Sequence, residues 1–489
     1  MKTRPLQPAQ RFTVAVIGGG FTGTTLAVQW VRHTDPSFSV VVIERMGLPG
    51  RGVAYGTACE SHLLNVPAKD MSAFAQYPEH FLSWAKSNYD REVRPGAFLP
   101  RKEYGRYLGS ILSAAIQSTG KGRLRWKKDD ALAVSRLRNG DIEIRLRSGD
   151  RILADKVVLA LGNFPASDPP LPGRNLPRRP HSLPDPYFSN PWSGTNFDGV
   201  EHLDSILLLG SGLSSVDVAL ELRHRGFPGT IHMLSRHGLL PHAHQAHGSW
   251  PIFWNERSPQ DVRGLLRLVR DEVREAERQG IDWRGVINCL REVTPRIWQS
   301  LPEAERRRFL RHVRPYWEVH RHRAAPEIAQ FIDAQRSNGQ IKLHAGRITN
   351  YREKGSRVEI TCCDRKSGAE TCLSINRIIN CTAPETDSRR LSDALLTTLI
   401  AQGLVRPDPL FLGLDASADG ALIDRDGVVS DSLYTVGLAR KGSLWESTAI
   451  PEIRQQVYQL VQLLIKRSET THTIGLDPSR EESCQATSV

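Results

Sequence analysis

No stretch of this 489-residue sequence approaches the ~18 uninterrupted apolar residues that a membrane helix needs. The longest apolar runs, such as Val40-Val41-Val42-Ile43, have the length of strands. Met1-Lys2-Thr3-Arg4-Pro5 is not followed by an apolar segment, so no secretory signal is expected. The seven cysteines stand singly apart from Cys362-Cys363 and show no framework spacing. That is the pattern of reduced thiols, and the expected compartment is the cytoplasm. Ser-His-Asp, Walker and zinc patterns are missing as well. What is present is an ordinary globular mixture, 39% apolar and 24% charged with a mean hydropathy of −0.37. This excludes a disordered or collagen-like chain, and the length suggests two or three domains.

The net charge of +12 is unevenly placed. Between Arg257 and Ala325 there are sixteen arginines, no lysine and ten acids, so half of the excess sits in 69 residues. A basic surface can attract nucleic acid, acidic membranes or phosphorylated small molecules, or can be the solvated face of Arg-rich helices. No RNA-binding signature with interleaved aromatics accompanies it, so nucleic acid is not the expected partner.

Four apolar runs each end in a small-residue turn: Thr13–Ile17 before Gly18, Lys156–Ala160 before Gly162, Ser205–Leu209 before Gly210, and Arg377–Asn380 before Cys381. Such runs suit parallel strands buried on both faces. The first and third lead into a glycine-rich turn and a helical stretch. The second and fourth follow alternating, hairpin-like segments, Ile142–Leu146 and Arg357–Thr361. The chain therefore has the same plan twice. Between the copies, Pro165–Pro191 holds nine prolines in 27 residues, a stiff connector. After the second copy come Leu433–Gly437, with Tyr434–Gly437 expected as a last strand, and a helical run from Pro451 to about Arg467; both are expected to complete the first copy. The expected layout is 1–165, a linker 166–200, an inserted domain 201–385 with an Arg-rich helical insertion at about 250–330, a return 386–467, and a disordered tail 468–489.

Gly18-Gly19-Gly20-Phe21-Thr22-Gly23 is G-x-G-x-x-G directly after a strand and opening a helix, and Glu44 closes the next strand 21 residues beyond Gly23. Gly18 makes the tight turn, Gly20 admits a pyrophosphate, Gly23 lets the helix pack on the strand, and Glu44 can accept from ribose hydroxyls. Gly210-Ser211-Gly212-Leu213-Ser214-Ser215 repeats the device, but the matching strand ends in Ser235-Arg236. A carboxylate there would repel a 2′-phosphate, whereas a hydroxyl and a guanidinium would bind it. Two dinucleotide sites, one inserted in the other, imply FAD in the first and NADPH in the second. The expected fold is α/β, two Rossmann-like dinucleotide-binding domains with the NADPH domain inserted in the FAD domain. Arg45, Gly162, Gly437, Thr448, Ala449 and Ile450 complete the expected FAD set; Thr448 to Pro451 reads as a cap with proline in the first helical turn, able to stabilise charge on reduced flavin.

Together these residues resemble the two-dinucleotide-domain flavoproteins, and most closely a bacterial group of FAD/NAD(P)-binding proteins. The resemblance is carried by Gly50–Gly56, His62–Ala68, Pro100–Leu108, His320–Arg323 and Trp445–Arg454, and spans roughly residues 12–465. A more distant similarity is to class B flavin monooxygenases, including amine N-hydroxylases. Asn65–Phe74 resembles their segment of Asn, Lys, acid and Met beside the flavin. Pro172-Gly173, His181-Ser182 and Tyr187 resemble their linker fingerprint, without its Phe-x-Gly part. Asn65 is the expected catalytic residue at the reactive flavin edge, because a neutral amide can donate and accept without becoming a competing acid. Tyr55 is expected either to pack on the flavin or in the core, and Lys69 with Asp70 to form a structural pair. His320 and Arg321 are expected to touch substrate or the nicotinamide phosphate, as against forming a surface turn. His242, His244 and His247 could ligate a metal on spacing but lack Cys or acid partners, so no metal is expected. Only Cys59 stands in the first domain, so dithiol chemistry is not expected.

The expected activity is NADPH reduction of FAD, followed by oxygenation of a small molecule at N, S or C through a reduced-flavin oxygen adduct, with O2 as co-substrate. An NADPH dehydrogenase or reductase using another acceptor is the alternative, and a basic RNA-binding flavoprotein a third reading.

Overall fold

In the computed structural model, which describes residues 11–475 apart from 48, 121, 139 and 175–184, all four apolar runs are strands. The strand Phe12–Ile17 pairs in parallel with Phe38–Glu44 on one side and with Lys156–Leu159 on the other. Every residue of Phe38–Glu44 is buried, as a strand covered on both faces requires. The first sheet has the order Ala421–Ile423, Val429–Thr435, Lys156–Leu159, Phe12–Ile17, Phe38–Glu44, Leu124–Lys128. Val429–Thr435 thus returns from far along the chain to pair in parallel with Lys156–Leu159. The helix Ile450–Gly475 then packs on Phe21–His33. One face of this sheet buries Trp30, Tyr104, Tyr107 and Val461 beneath helices. The other is covered by a three-stranded antiparallel sheet, Ala131–Arg136, Ile142–Leu146 and Arg151–Ala154, and by the helix Ala394–Ala401.

The second sheet repeats the plan. Its parallel centre is Ile341–Lys354, Thr230–Ser235, Ser205–Leu209 and Arg377–Asn380, and the long strand Ile341–Lys354 continues into an antiparallel ribbon with Arg357–Asp364 and Glu370–Ile375. The helices Leu213–His224 and Pro326–Ser337 cover one face. Between Thr230–Ser235 and Pro326–Ser337 the chain makes the helices Val262–Arg278, Trp283–Cys289, Thr294–Ser300, Glu303–His312 and Arg314–Arg321. This is the Arg-rich insertion. It reaches back to the first domain, where Trp298 stacks on Trp445 at 5.0 Å beside Leu410 and Leu412.

The structure differs from the sequence reading in two places. The proline-rich connector is not only a connector: Tyr187–Phe188 adds an edge strand beside Arg377–Asn380. Its anchor is the buried Tyr187 ring, whose hydroxyl donates to Asp168 at 2.7 Å and whose face carries the Arg174 guanidinium at 3.8 Å. His181 and Ser182 lie outside the described residues. The tail begins later than 468, because the last helix continues to Gly475. Arg467 extends it by donating to Asp419 and to the Tyr434 hydroxyl, both at 2.8 Å. Residues 476–489 lie outside the described residues. No helix among the described residues is long and apolar enough to cross a membrane.

Leu208 sits in the middle of a wholly buried strand and has 0% exposure. Leu208→Ala should destabilise the protein by about 2–5 kcal/mol, the transfer term plus the cavity left behind. A lowered midpoint in thermal denaturation followed by circular dichroism checks this, and an unchanged midpoint contradicts the packing.

Candidate active site

The first glycine turn has a geometry that only glycine allows. Gly18 has φ +105°, and a Cβ there would lie 2.2 Å from the Ala160 carbonyl oxygen. A Cβ on Gly23 would lie 1.8 Å from the Gly18 oxygen, so the helix Phe21–His33 meets its strand without a side chain between them. Glu44 is buried; one carboxylate oxygen accepts from the Gly19 N–H at 2.6 Å and the other from the Met46 N–H at 2.7 Å. A carboxylate has about four acceptor sites, so capacity for ribose hydroxyls is left. Gly437 (φ +83°) packs on Thr22, joining the returning segment to the helix N-terminus. Its N–H donates to Gln456 Oε1 at 3.1 Å, and its carbonyl accepts from Ser447 Oγ. These residues fit a bound dinucleotide: a glycine cradle, a helix N-terminus and a buried acid in one place. Gly162 follows its strand with φ +66° and open space around it. Arg45 is turned away, toward Asp393 at 3.0 Å and Asp130 at 3.9 Å. Thr448 is exposed, and the turn before Ile450 is tied by Ser447 instead.

At the second turn, Gly210 has φ +116°, and a Cβ there would lie 2.7 Å from the Cys381 oxygen. Gly212 has open space around its Cβ position, and Leu213, Ser214 and Ser215 form the first turn of the helix Leu213–His224. Ser215 is buried beneath Gly210. The Ser235 hydroxyl is committed inside the turn, accepting from Ser211 Oγ at 2.7 Å and from the Gly238 N–H at 3.0 Å. Arg236 is exposed. His237 beside it is held below the usual histidine range by burial, then by the charges of Arg365 and Arg236.

Where the two domains face each other lies a cavity of about 210 Å³. The first domain contributes Asn65, Val66, Pro67, Lys69, Asp70 and Ala449. The second contributes His244 and His247, and the helical insertion contributes Asn288, Arg291, Arg321, His322 and Arg323. The loop from Asn65 is fixed from behind: Ala68 and Lys69 donate their N–H groups to Ala97 and Pro95 at 2.9 and 3.0 Å, and Arg454 donates to the Asp70 and Ser72 carbonyls at 3.2 Å. His244 Nε2–H donates to the Asn65 carbonyl at 3.0 Å, leaving the Asn65 side-chain amide without a partner among the described residues. Burial first, then Arg323, pushes the His244 pKa down to about 4, so the ring is neutral at pH 7.

Several expected residues fall elsewhere. His320 does not line the cavity; it donates to the Tyr316 carbonyl and packs at an angle against His242 and Trp283. One residue along the helix Arg314–Arg321 is about 100° of turn, which separates His320 from Arg321. Tyr55 is not among the lining residues either; it packs edge-on against Tyr104 at 4.7 Å, and burial raises its phenol pKa. Lys69 and Asp70 line the cavity and form no ion pair with each other. The three histidines after Pro241 do not converge: His242 stacks, His244 holds Asn65, and His247 accepts from Asn288 at 2.7 Å. Asn288 and Arg291 carried no sequence signal, being two among many polar residues of the insertion.

One buried group could be considered for a metal. Cys59, His62 and Glu221 bring ligand atoms within 4.8 Å of one another. Its members are already engaged: His62 faces the Asp217 carbonyl at 3.1 Å, and Glu221 is paired with Arg225 at 2.9 Å. Burial raises the Cys59 thiol pKa. With Arg101 bonded to Asp217 at 2.8 Å, the cluster docks the first helix of the second domain onto the first.

Comparison with known proteins places these features. Residues 15–164 match a protein family described as FAD-NAD(P)-binding. No curated protein matches the sequence. Among solved structures, the chain is similar to the cadaverine monooxygenase of desferrioxamine biosynthesis from Erwinia amylovora, solved bound to FAD (16% identity, TM-score 0.64, 92% of this chain and 94% of that one). It is similar to the ornithine N-hydroxylase of Kutzneria sp. 744, solved with reduced FAD, NADP+ and L-ornithine (11%, 0.62, 94% and 100%). It is also similar to the bacillithiol disulfide reductase of Staphylococcus aureus (12%, 0.55, 94% and 99%). At such identities these likenesses establish the two-dinucleotide-domain fold.

His244 and His232 are both pushed down to about 4, mainly by burial. Unfolded histidine titrates near ~6.5. The native state therefore binds fewer protons than the unfolded state between those values, and stability should fall as pH drops from about 6.5 to about 4. His244→Gln, which keeps the donor to Asn65, should show a smaller loss of melting temperature between pH 7 and pH 5 than the parent. An equal loss would mean that His244 is not held neutral.

Proposed function

We propose that this chain, whose residues 15–164 belong to the FAD-NAD(P)-binding family, is an FAD- and NADPH-dependent oxidoreductase that oxygenates a small molecule with O2. The observation that carries the reading is the cavity between Asn65 and Ala449 of the first domain and the His/Arg wall of the second. FAD would be held by Gly18, Gly20, Gly23, Glu44 and Gly437, with the start of the last helix toward its ring. Bound flavin supplies hydride acceptance and activation of oxygen. The chain supplies the rest. The Asn65 amide is free to donate and accept at the cavity edge, and neutral His244 fixes its backbone without adding a proton donor of low pKa. Residues from both domains close the cavity and restrict water. No cysteine is among its lining residues, which favours oxygenation over disulfide reduction through protein thiols.

Preference for NADPH is supported by the second strand end. Ser235 stands where the first domain has Glu44, and Arg236 is exposed, with Arg365 acting on the same neighbour, His237. An Arg–phosphate pair that is partly exposed contributes about 1–3 kcal/mol, or one to two orders of magnitude in preference. Arg236→Ala should therefore raise KM for NADPH at least tenfold more than KM for NADH and leave FAD content unchanged. A parent enzyme that prefers NADH would refute the assignment.

The activity itself is tested with purified protein, FAD, NADPH and air against a metabolite mixture. The expected result is a product heavier by one oxygen atom that carries 18O from 18O2. If every candidate gives only hydrogen peroxide while a quinone reoxidises the flavin rapidly, the enzyme is a dehydrogenase and the oxygenase reading is wrong.

A further inference from the structure

The cations around the cavity are unequally matched. Arg291 and Arg321 share the Glu452 carboxylate, and Arg321 also faces Glu446 at 3.4 Å. Arg284 pairs with Asp282 at 2.9 Å. Arg323 has no carboxylate partner among the described residues, although it is only 3% exposed. Its Nη2 donates to Asn288 Oδ1, while Nε and Nη1 have no hydrogen-bond partner. Asn288 is held in that orientation by His247: His247 Nδ1–H donates to the Gly248 carbonyl, so Nε2 accepts the Asn288 amide N–H and turns the amide oxygen toward Arg323. A second unpartnered atom lies beside it, His322 Nε2, whose ring is anchored through Nδ1 on Glu318 at 2.7 Å.

A buried cation without a direct carboxylate partner is unfavourable, and Asp282, which is paired with Arg284, acts on Arg323 without bonding to it. The Arg323 pKa is lowered to about 10 by burial and then by Arg321 and Arg284, which still leaves it charged at neutral pH. The free N–H groups of Nε and Nη1, which lie on different edges of the guanidinium, are charge-assisted donors suited to the oxygens of a carboxylate or phosphate. Resting on the reading of this cavity as the substrate side of the flavin, we propose that its ligand is a small organic anion, whose oxyanion group is received by the Arg323 guanidinium and whose organic part extends toward Asn65 and Ala449. A simple amine would meet Arg323 with Arg321 and Arg291 behind it, the carboxylate of Asp70 facing it only from the first-domain wall.

The test uses the FAD-loaded protein and three probes of similar size: benzoate, phenyl phosphate and benzylamine. Binding is read by calorimetry and by the flavin difference spectrum. At least one of the two anions should bind and benzylamine should not, and which anion binds identifies the oxyanion. Arg323→Met should weaken anion binding at least tenfold. Asn288→Asp, which is isosteric and places a counter-charge on Nη2, should do the same and guards against misfolding of the first variant. The proposal is overturned if neither anion binds the parent protein, if benzylamine binds better than both, or if both variants bind anions as the parent does. Loss of FAD from both variants would also overturn it, by assigning the guanidinium to the cofactor. Because the readout is binding, a protein that binds benzoate and makes no oxygenated product refutes the oxygenase reading alone.

Discussion

The largely covered carboxylate of Glu452 is the contact on which the arrangement of the site depends. It lies in the first turn of the helix that ends the first domain, and it accepts from Arg291 and Arg321 of the inserted helices. Both arginines are mostly withdrawn from water, so removing the acid would strand two cations in a low-dielectric setting. The returning segment therefore does more than complete the first sheet through Val429–Thr435: it holds the helical insertion in place and thereby forms one wall of the cavity.

The turn leading to that helix is strained to serve this contact. Trp445 has φ +59° and ψ −60°, a conformation that a bulky side chain adopts only when its surroundings enforce it. The enforcement is visible. Trp298 stacks on the ring at 5.0 Å and donates its Nε1–H to the Gly442 carbonyl at 2.7 Å, while Phe309 meets the ring edge-on. The consequence is that the next residue, Glu446, faces Arg321 and accepts from Trp317 at 3.1 Å. Packing in the insertion and electrostatics at the cavity are thus parts of one device.

How much of this was legible in the sequence follows from the range of the interactions. Parallel strands announce themselves through continuous apolar runs, and a dinucleotide turn through glycines that admit no Cβ, so both halves of the fold were readable from local pattern. The nested topology was readable because a strand and a helix arrived after the second copy was complete. The cavity was not readable, because it assembles residues 65–70, 244–247, 288–291, 321–323 and 449, which no periodicity links. The motif His320–Arg321–His322–Arg323 shows the limit at close quarters. Its importance could be recognised, but not its geometry. The helix ends at Arg321 and His322 leaves the helical region with ψ 86°, and Arg321, His322 and Arg323 line the cavity while His320 packs against His242.

The local charge excess separates into two populations that composition alone cannot distinguish. Along the helical insertion, Arg274, Arg278, Arg307 and Arg308 pair with acids three or four positions earlier on exposed faces. Such pairs contribute a few tenths of a kcal/mol each and keep the helices solvated, while Arg263, Arg267, Arg270 and Arg311 are exposed without an ion pair among the described residues. The arginines that matter for the site are the few that are buried, and their influence is set by whether a carboxylate reaches them. Arg284, Arg291 and Arg321 are answered from within the protein; Arg323 is answered only by an amide. The sixteen arginines of this region therefore do leave a basic outer face, and beside it the structure keeps one buried guanidinium, that of Arg323, without a carboxylate at a cavity sized for a small molecule.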